Sequence, residues 1–187
     1  DRLGIAGEQE IRWFDYWLKG QENGIMDEPP VQYFMMAGAK KDAFSPKNRM
    51  MTSPNWPPAY REVRYYPTAD KGLATKAPTT AETKLSYRFD PADPVKTFGG
   101  ANLTFERGPE DQRQVGQRQD YLRFQTPVLD KDVAIAGPVK VELYAATDGP
   151  DTDFVAKLVD VYPDGYEALV LDAPIRTKFR NGRLPED

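Results

Sequence analysis

Asp151-Thr152-Asp153-Phe154-Val155-Ala156-Lys157-Leu158-Val159-Asp160-Val161-Tyr162-Pro163-Asp164-Gly165 decides the fold class of this chain. It opens on an acidic loop, continues as a strand and stops at a Pro-Asp-Gly turn. Within it Val155, Lys157, Val159 and Val161 face one way, and Ala156, Leu158, Asp160 and Tyr162 the other. Just upstream, Val139, Val141, Leu143 and Ala145 alternate with Lys140, Glu142 and Tyr144, the period of a half-buried strand running Val139 to Ala146. Downstream, Ala168 to Phe179 reads as a further strand, interrupted near Pro174.

The same reading extends backward to Asp27. Short apolar runs divided by Pro, Gly, Asp and Asn predict strands at Val31 to Ala37, Tyr60 to Tyr66, Lys84 to Phe89 and Tyr121 to Thr126. Two long connections, Gly38 to Pro58 and Asp90 to Gln119, separate them; the first has Met50 and Met51 in its middle. Many short strands with long crossovers predict an all-β sandwich of jelly-roll type. The one helix lies before Pro29-Pro30, over Glu8 to Lys19. Ile11, Phe14, Trp17 and Leu18 recur at helical spacing, Glu8 and Glu10 fall in the expected first turn, and Lys19-Gly20 fits the end. Its face is so aromatic that something should cover Trp13, Phe14 and Trp17.

Composition narrows the function. The chain has 187 residues, and a domain of that size buries roughly 70 % of its unfolded surface without needing a staple. With 25 basic and 29 acidic residues its net charge is −4, which argues against nucleic acid as a partner. The Lys40-Lys41 pair is too short to change that. No apolar run reaches the ~20 residues of a membrane span, so no membrane partner is expected. The N-terminus begins without Met and has no signal-peptide pattern, which suggests a piece of a longer chain.

There is no histidine and no cysteine. Ser-His-Asp and Cys-His triads are therefore excluded within the chain, as are the commonest zinc sites. The lack of cysteine fits a reducing compartment and an exported protein alike. A carboxylate pair could still support glycoside hydrolysis, but none of the 29 acidic residues stands out as one. Asp148, Asp151 and Asp153 have the density of a calcium loop. Counting from Asp148, however, the sixth and twelfth positions hold Asp153 and Val159 rather than Gly and Glu. The expected role of these carboxylates is to accept backbone N–H bonds in a tight turn. Asn102-Leu103-Thr104 matches a glycosylation sequon, a short pattern given no weight here. The aromatics are expected in packing rather than on a sugar platform, and Gly99-Gly100 reads as a turn. No cofactor and no metal is expected.

Several stretches, in order, resemble the acyl hydrolases grouped with cocaine esterase, α-amino-acid ester hydrolases and X-Pro dipeptidyl-peptidases, the CocE/NonD type. Trp13 to Gly20 looks like the last helix of their α/β-hydrolase domain. Pro29-Pro30-Val31 with Tyr33 to Gly38 is similar to the first strand of their accessory domain, and Trp56-Pro57 to the pair that follows. Gly108-Pro109-Glu110-Asp111-Gln112-Arg113 and Arg118 to Leu122 resemble the run into the strand ending at Thr126. Val133 to Leu143, with Gly137-Pro138-Val139, resembles the strand before the signature. Asp151 to Gly165 resembles the signature itself, and Arg176 to Arg180 the basic strand that closes it.

The resemblance implies a galactose-binding-like jelly roll at 27–187, preceded by a terminal helix and linker of an α/β-hydrolase domain at 1–26. It implies a non-catalytic domain of a serine hydrolase that packs on the catalytic domain, helps wall the substrate cleft and supports a homo-oligomer. The substrate of the parent would be a small-molecule ester or a peptide. No catalytic, cofactor or metal residue carries over, because the family's triad lies upstream of this helix. Asp153, Phe154, Lys157 and Asp160 are the expected structural determinants, with Phe154 in the core and Asp153 holding the acidic loop. The family continues past the basic strand, so the sandwich is expected to be incomplete here, and prone to aggregate or to be completed by other chain segments. Ala39 to Asn55 is longer than the resemblance leads one to expect. The competing reading is a stand-alone carbohydrate-binding or interaction sandwich, which would have no use for an exposed Trp-Phe-Trp helix face.

Overall fold

The computed structural model describes residues 4–37, 45–79, 84–104 and 106–182. The Lys40-Lys41 pair, Gly38 and the first three residues lie outside them. The described residues are mostly extended, with one α-helix and three two-stranded sheets, an all-β chain with a single helix. By contacts they divide into two units. One takes in Asp1–Met35, Arg49–Tyr60 and Ile135–Gly137; the other takes in Met36–Asn48, Arg61–Ala134 and Pro138–Asp187.

The first unit holds the helix and one ribbon. Helix α1 runs Gly4–Lys19, one turn earlier than its apolar spacing suggests. Glu8 and Glu10 therefore sit beyond the first turn, where the helix dipole favours anions less. The C-terminus is closed as the sequence indicates. Gly20 takes φ +66°, and the Gln21 N–H reaches back to the Asp15 carbonyl at 3.1 Å, so the left-handed glycine turns the chain back to satisfy a carbonyl of the last turn. Strand β1 (Val31–Met35) pairs antiparallel with β2 (Arg49–Ser53), setting Tyr33 against Met51 and Phe34 against Met50. Strand β2 falls inside a stretch predicted as a loop. Its Lys, Asn, Ser and Pro surroundings hid it, and only the pairing with β1 makes it a strand.

The second unit is built on a hairpin. Strand β5 (Asp153–Val161) pairs antiparallel with β6 (Glu167–Arg176). The predicted turn closes it: Tyr162 and Tyr166 pair through the Tyr162 N–H, and Gly165 takes φ +82°. The Asp164 carboxylate accepts the Tyr166 N–H at 3.0 Å. The interruption expected near Pro174 is absent. Strand β6 runs through it and sets it opposite Val155, since an unpaired outer edge asks for no N–H there. The irregularity lies instead at Leu158/Val159. One side of the hairpin sets Phe154 against Ile175, Ala156 against Ala173 and Leu158 against Leu171; the other sets Asp153 against Arg176 and Lys157 against Asp172.

A smaller pair, β3 (Tyr66–Pro67) and β4 (Leu73–Ala74), closes the turn at Thr68 to Lys71. The other predicted strands form no ladder among the described residues. Tyr60 to Tyr66 contributes only Tyr66, and Tyr121 to Thr126 only a bridge from Gln125 to Gly72. Lys84 to Phe89 and Val139 to Ala146 stay unpaired. Period-two alternation marks a segment that suits a sheet, but a strand exists only when a neighbour supplies the hydrogen bonds.

Candidate functional site

Around the hairpin the sequence builds a packed polar cluster. The buried core is Tyr166, Ala168 and Leu169, with Tyr162 packed against it. Against the start of β6 lies the Gly108-Pro109-Glu110-Asp111-Gln112-Arg113 segment. Its Glu110 carbonyl accepts the Leu169 N–H at 3.1 Å, and its Pro109 carbonyl accepts the Tyr166 hydroxyl at 3.0 Å. Asp111 caps the short 3₁₀ turn Gln112–Val115 through the Arg113 N–H, and also accepts the Glu167 N–H. The Arg113 guanidinium pairs with that carboxylate and lies 5.8 Å from the centre of the Tyr166 ring. The Arg113 hydrogen bond holds the Asp111 carboxyl below its ordinary range.

Gln112 is the hub. It is buried, and its amide nitrogen donates to the Phe98 and Glu110 carbonyls at 2.7 and 3.1 Å. Its amide oxygen accepts from the Lys157 ammonium at 3.2 Å. Burial pushes the Lys157 pKa down, while Asp172 opposite it pulls the other way. The ammonium is thus tied to the Gln112 segment across the hairpin. Gly100 and Gly108 bond to each other in both directions and close the preceding loop.

The four predicted determinants fall on this hairpin in different surroundings. Lys157 joins the Gln112 cluster. Asp153 is exposed and makes a two-pronged ion pair with Arg176, at 2.7 and 2.9 Å. Phe154 is half-buried opposite Ile175, on the apolar side of the hairpin and outside the buried core. Asp160 is exposed opposite Ala168 and borders a small cavity of about 70 Å³ beside Tyr162 and Leu169. Holding the acidic loop falls to Asp151, which accepts the Thr177 hydroxyl and the Lys178 N–H. No grouping of three or more acidic side chains among the described residues is placed to hold a metal.

Sequence reasoning missed Gln112, Asp111 and Tyr166. Gln112 lay in a stretch notable only for its resemblance, and a buried glutamine has no periodic signature. A second polar cluster was also missed. Arg118 bridges Asp93 and Asp120 at 3.0 and 2.6 Å, beside an open cleft of about 340 Å³ that Arg88 and Gln119 also line. Asp120 holds the Arg118 pKa above its ordinary value. Asp93 and Arg118 lay in the long Asp90 to Gln119 connection, whose length stood out but within which no residue was singled out.

The Asp153–Arg176 pair gives a direct expectation. Arg176 lowers the Asp153 pKa, so whatever the pair contributes is present above the unfolded carboxylate value of about 3.9 and is lost as pH falls through the lowered folded value. Asp153→Ala should lower the neutral-pH Tm by no more than about 3 °C, because the pair is exposed. The difference between mutant and wild type should shrink as pH falls below about 3.9. Thermal scans at pH 7 and pH 3, with and without calcium, check this. A calcium-dependent rise in Tm that the substitution abolishes would contradict it.

Residues 23–184 match the family model of the X-Pro dipeptidyl-peptidase C-terminal non-catalytic domain. The cocaine esterase of Rhodococcus sp. (strain MB1 Bresler) is 31% identical over 200 aligned positions, covering 96% of this chain and 33% of that protein. A Bacillus cereus protein named "Putative Xaa-Pro dipeptidyl-peptidase" is 30% identical over 156 positions, covering 82% of this chain and 23% of its own length. The chain thus spans a third or less of the length of these curated relatives. Its match across 162 consecutive positions (184 − 23 + 1) places it plainly: the chain belongs to the family of X-Pro dipeptidyl-peptidase C-terminal non-catalytic domains.

Proposed function

We propose that this chain is the accessory β-domain of a serine acyl hydrolase, folded as a jelly roll, packed on an α/β-hydrolase catalytic portion and helping to wall its substrate cleft. The family match to a non-catalytic domain carries the reading. The absence of histidine agrees with it, since the base of an acyl-enzyme mechanism must then come from elsewhere. In the parent a Ser nucleophile, a His base and backbone N–H groups would cleave an ester or amide bond. The names of the relatives point to a small-molecule ester or an X-Pro peptide as substrate.

The α1 aromatic face supports the packing. Trp13 and Trp17 meet ring to ring at 5.8 Å, yet Trp17 is 56 % exposed and Leu18 76 %. So large an apolar ridge calls for a partner. The stretch at 1–26 would belong with the catalytic portion and 27–187 with the accessory domain, a division supported by the start of the family match at residue 23. Among the described residues no strand pairs with the outer edge of β5, which supports a homo-oligomeric contact as well.

The test compares the full-length protein with the isolated 187-residue chain on p-nitrophenyl esters and X-Pro anilides. Hydrolysis by the full-length protein alone is expected. Turnover by the isolated chain, or none by the full-length protein, would overturn the reading.

A further inference from the structure

The connection from α1 to β1 has the composition of a free linker, Gln21-Glu22-Asn23-Gly24, but it is bonded like a corner. The Asn23 amide donates to the Arg12 carbonyl at 2.7 Å, while its amide oxygen accepts the Ile25 N–H at 3.2 Å. The Arg12 guanidinium reaches Glu28 at 2.5 Å, the Asn23 carbonyl at 3.4 Å and Gln9 at 3.1 Å. The second oxygen of Glu28 accepts from Gln32 on β1 at 3.1 Å. One carboxylate thus joins the middle of the helix to the strand. Gly20 and Gly24, at φ +66° and +76°, make the two sharp turns the path needs. Arg12 and Glu28 are each only about one-third exposed (32%), unlike an ordinary surface pair. All of these residues lie within one compact unit.

We propose that Arg12, Asn23 and Glu28 form a positioning elbow that holds the aromatic face of α1 at a fixed angle to the β1–β2 ribbon, and thereby fixes how that ribbon is carried on the catalytic portion. The inference rests on the function proposed above, with the apolar surface of that portion as the partner of the α1 face. They are positioning residues, which act through the orientation of the ribbon as part of the cleft wall. A flexible linker would let that wall swing, and misplacing a binding wall weakens substrate binding before it alters the chemistry.

The test uses the full-length protein. Glu28→Ala should raise KM for an acyl ester by about tenfold while leaving kcat within about twofold. It should also split a single thermal transition into two and open residues 20–28 to limited proteolysis. The exchanged pair, Arg12→Glu with Glu28→Arg, should recover much of the KM and the single transition. Should Glu28→Ala precipitate, Asn23→Ala is measured in its place with the same expectation. Unchanged KM with a single transition would overturn the elbow. So would loss of fold and kcat together that the exchanged pair does not repair, because it would assign Glu28 to stability alone. A full-length protein without hydrolase activity would overturn the proposed function, while melting and proteolysis would still report on the elbow.

Discussion

Leu169→Ala should destabilise the domain by about 2–4 kcal/mol, read as a lower denaturation midpoint of the full-length protein with an unchanged denaturant slope. Leu169 is 2 % exposed and is the largest fully buried side chain described. It sits where β6 meets the Glu110 segment, beside Gly100 and the small cavity near Tyr162. Removing its branched end would enlarge a space that the hydrogen-bonded Gly100–Gly108 loop and the hairpin cannot easily close. Leu171, two residues on, is the control. It is 45 % exposed, so Leu171→Ala should cost less than about 1 kcal/mol. Equal effects at the two positions would mean that the core is not centred on Leu169 and the start of β6.

Gly99→Ala should be comparably damaging, at about 2–4 kcal/mol, for a different reason. Gly99 is buried and takes φ +76°, where an L side chain is strained. A methyl group there would lie 2.4 Å from the Gly108 carbonyl oxygen. That oxygen accepts both the Gly100 and Glu110 N–H groups, so it cannot move without breaking the loop that carries Gln112. Gly149→Ala is the contrast: its neighbours stand at ordinary contact distances and its φ is not in the strained region. Thermal melts of the two variants check the pair. A tolerated Gly99→Ala would show that the loop is not packed as described.

The parts of the fold that could be read from sequence are those set by local chemistry. The Pro163-Asp164-Gly165 turn writes its own geometry through a glycine at positive φ and an aspartate that accepts the Tyr166 N–H. The end of α1 is likewise fixed by Lys19 and Gly20, with Lys19 paired to Asp15 at 2.6 Å. What could not be read depends on partners distant in sequence. Strand β2 exists because Met51 finds Tyr33, and Val139 to Ala146 alternates without a neighbouring strand. The site follows the same division. Lys157 was singled out on the hairpin, but Gln112, which gives it a role, comes from a segment 45 residues away. Phe154 was expected in the core as an aromatic at the start of its strand. It is half-buried because its side of the hairpin, with Ile175 and Leu171, has little packed over it.

The most direct measurement is labelling of the full-length protein with a fluorophosphonate, followed by mapping of the modified serine. The chain has only Ser45, Ser53 and Ser86 to offer. The account predicts one stoichiometric adduct on a serine outside these 187 residues, with loss of hydrolase activity in proportion. An adduct on Ser45, Ser53 or Ser86 that abolishes activity would contradict it, because the catalytic nucleophile would then lie in the domain assigned here to support.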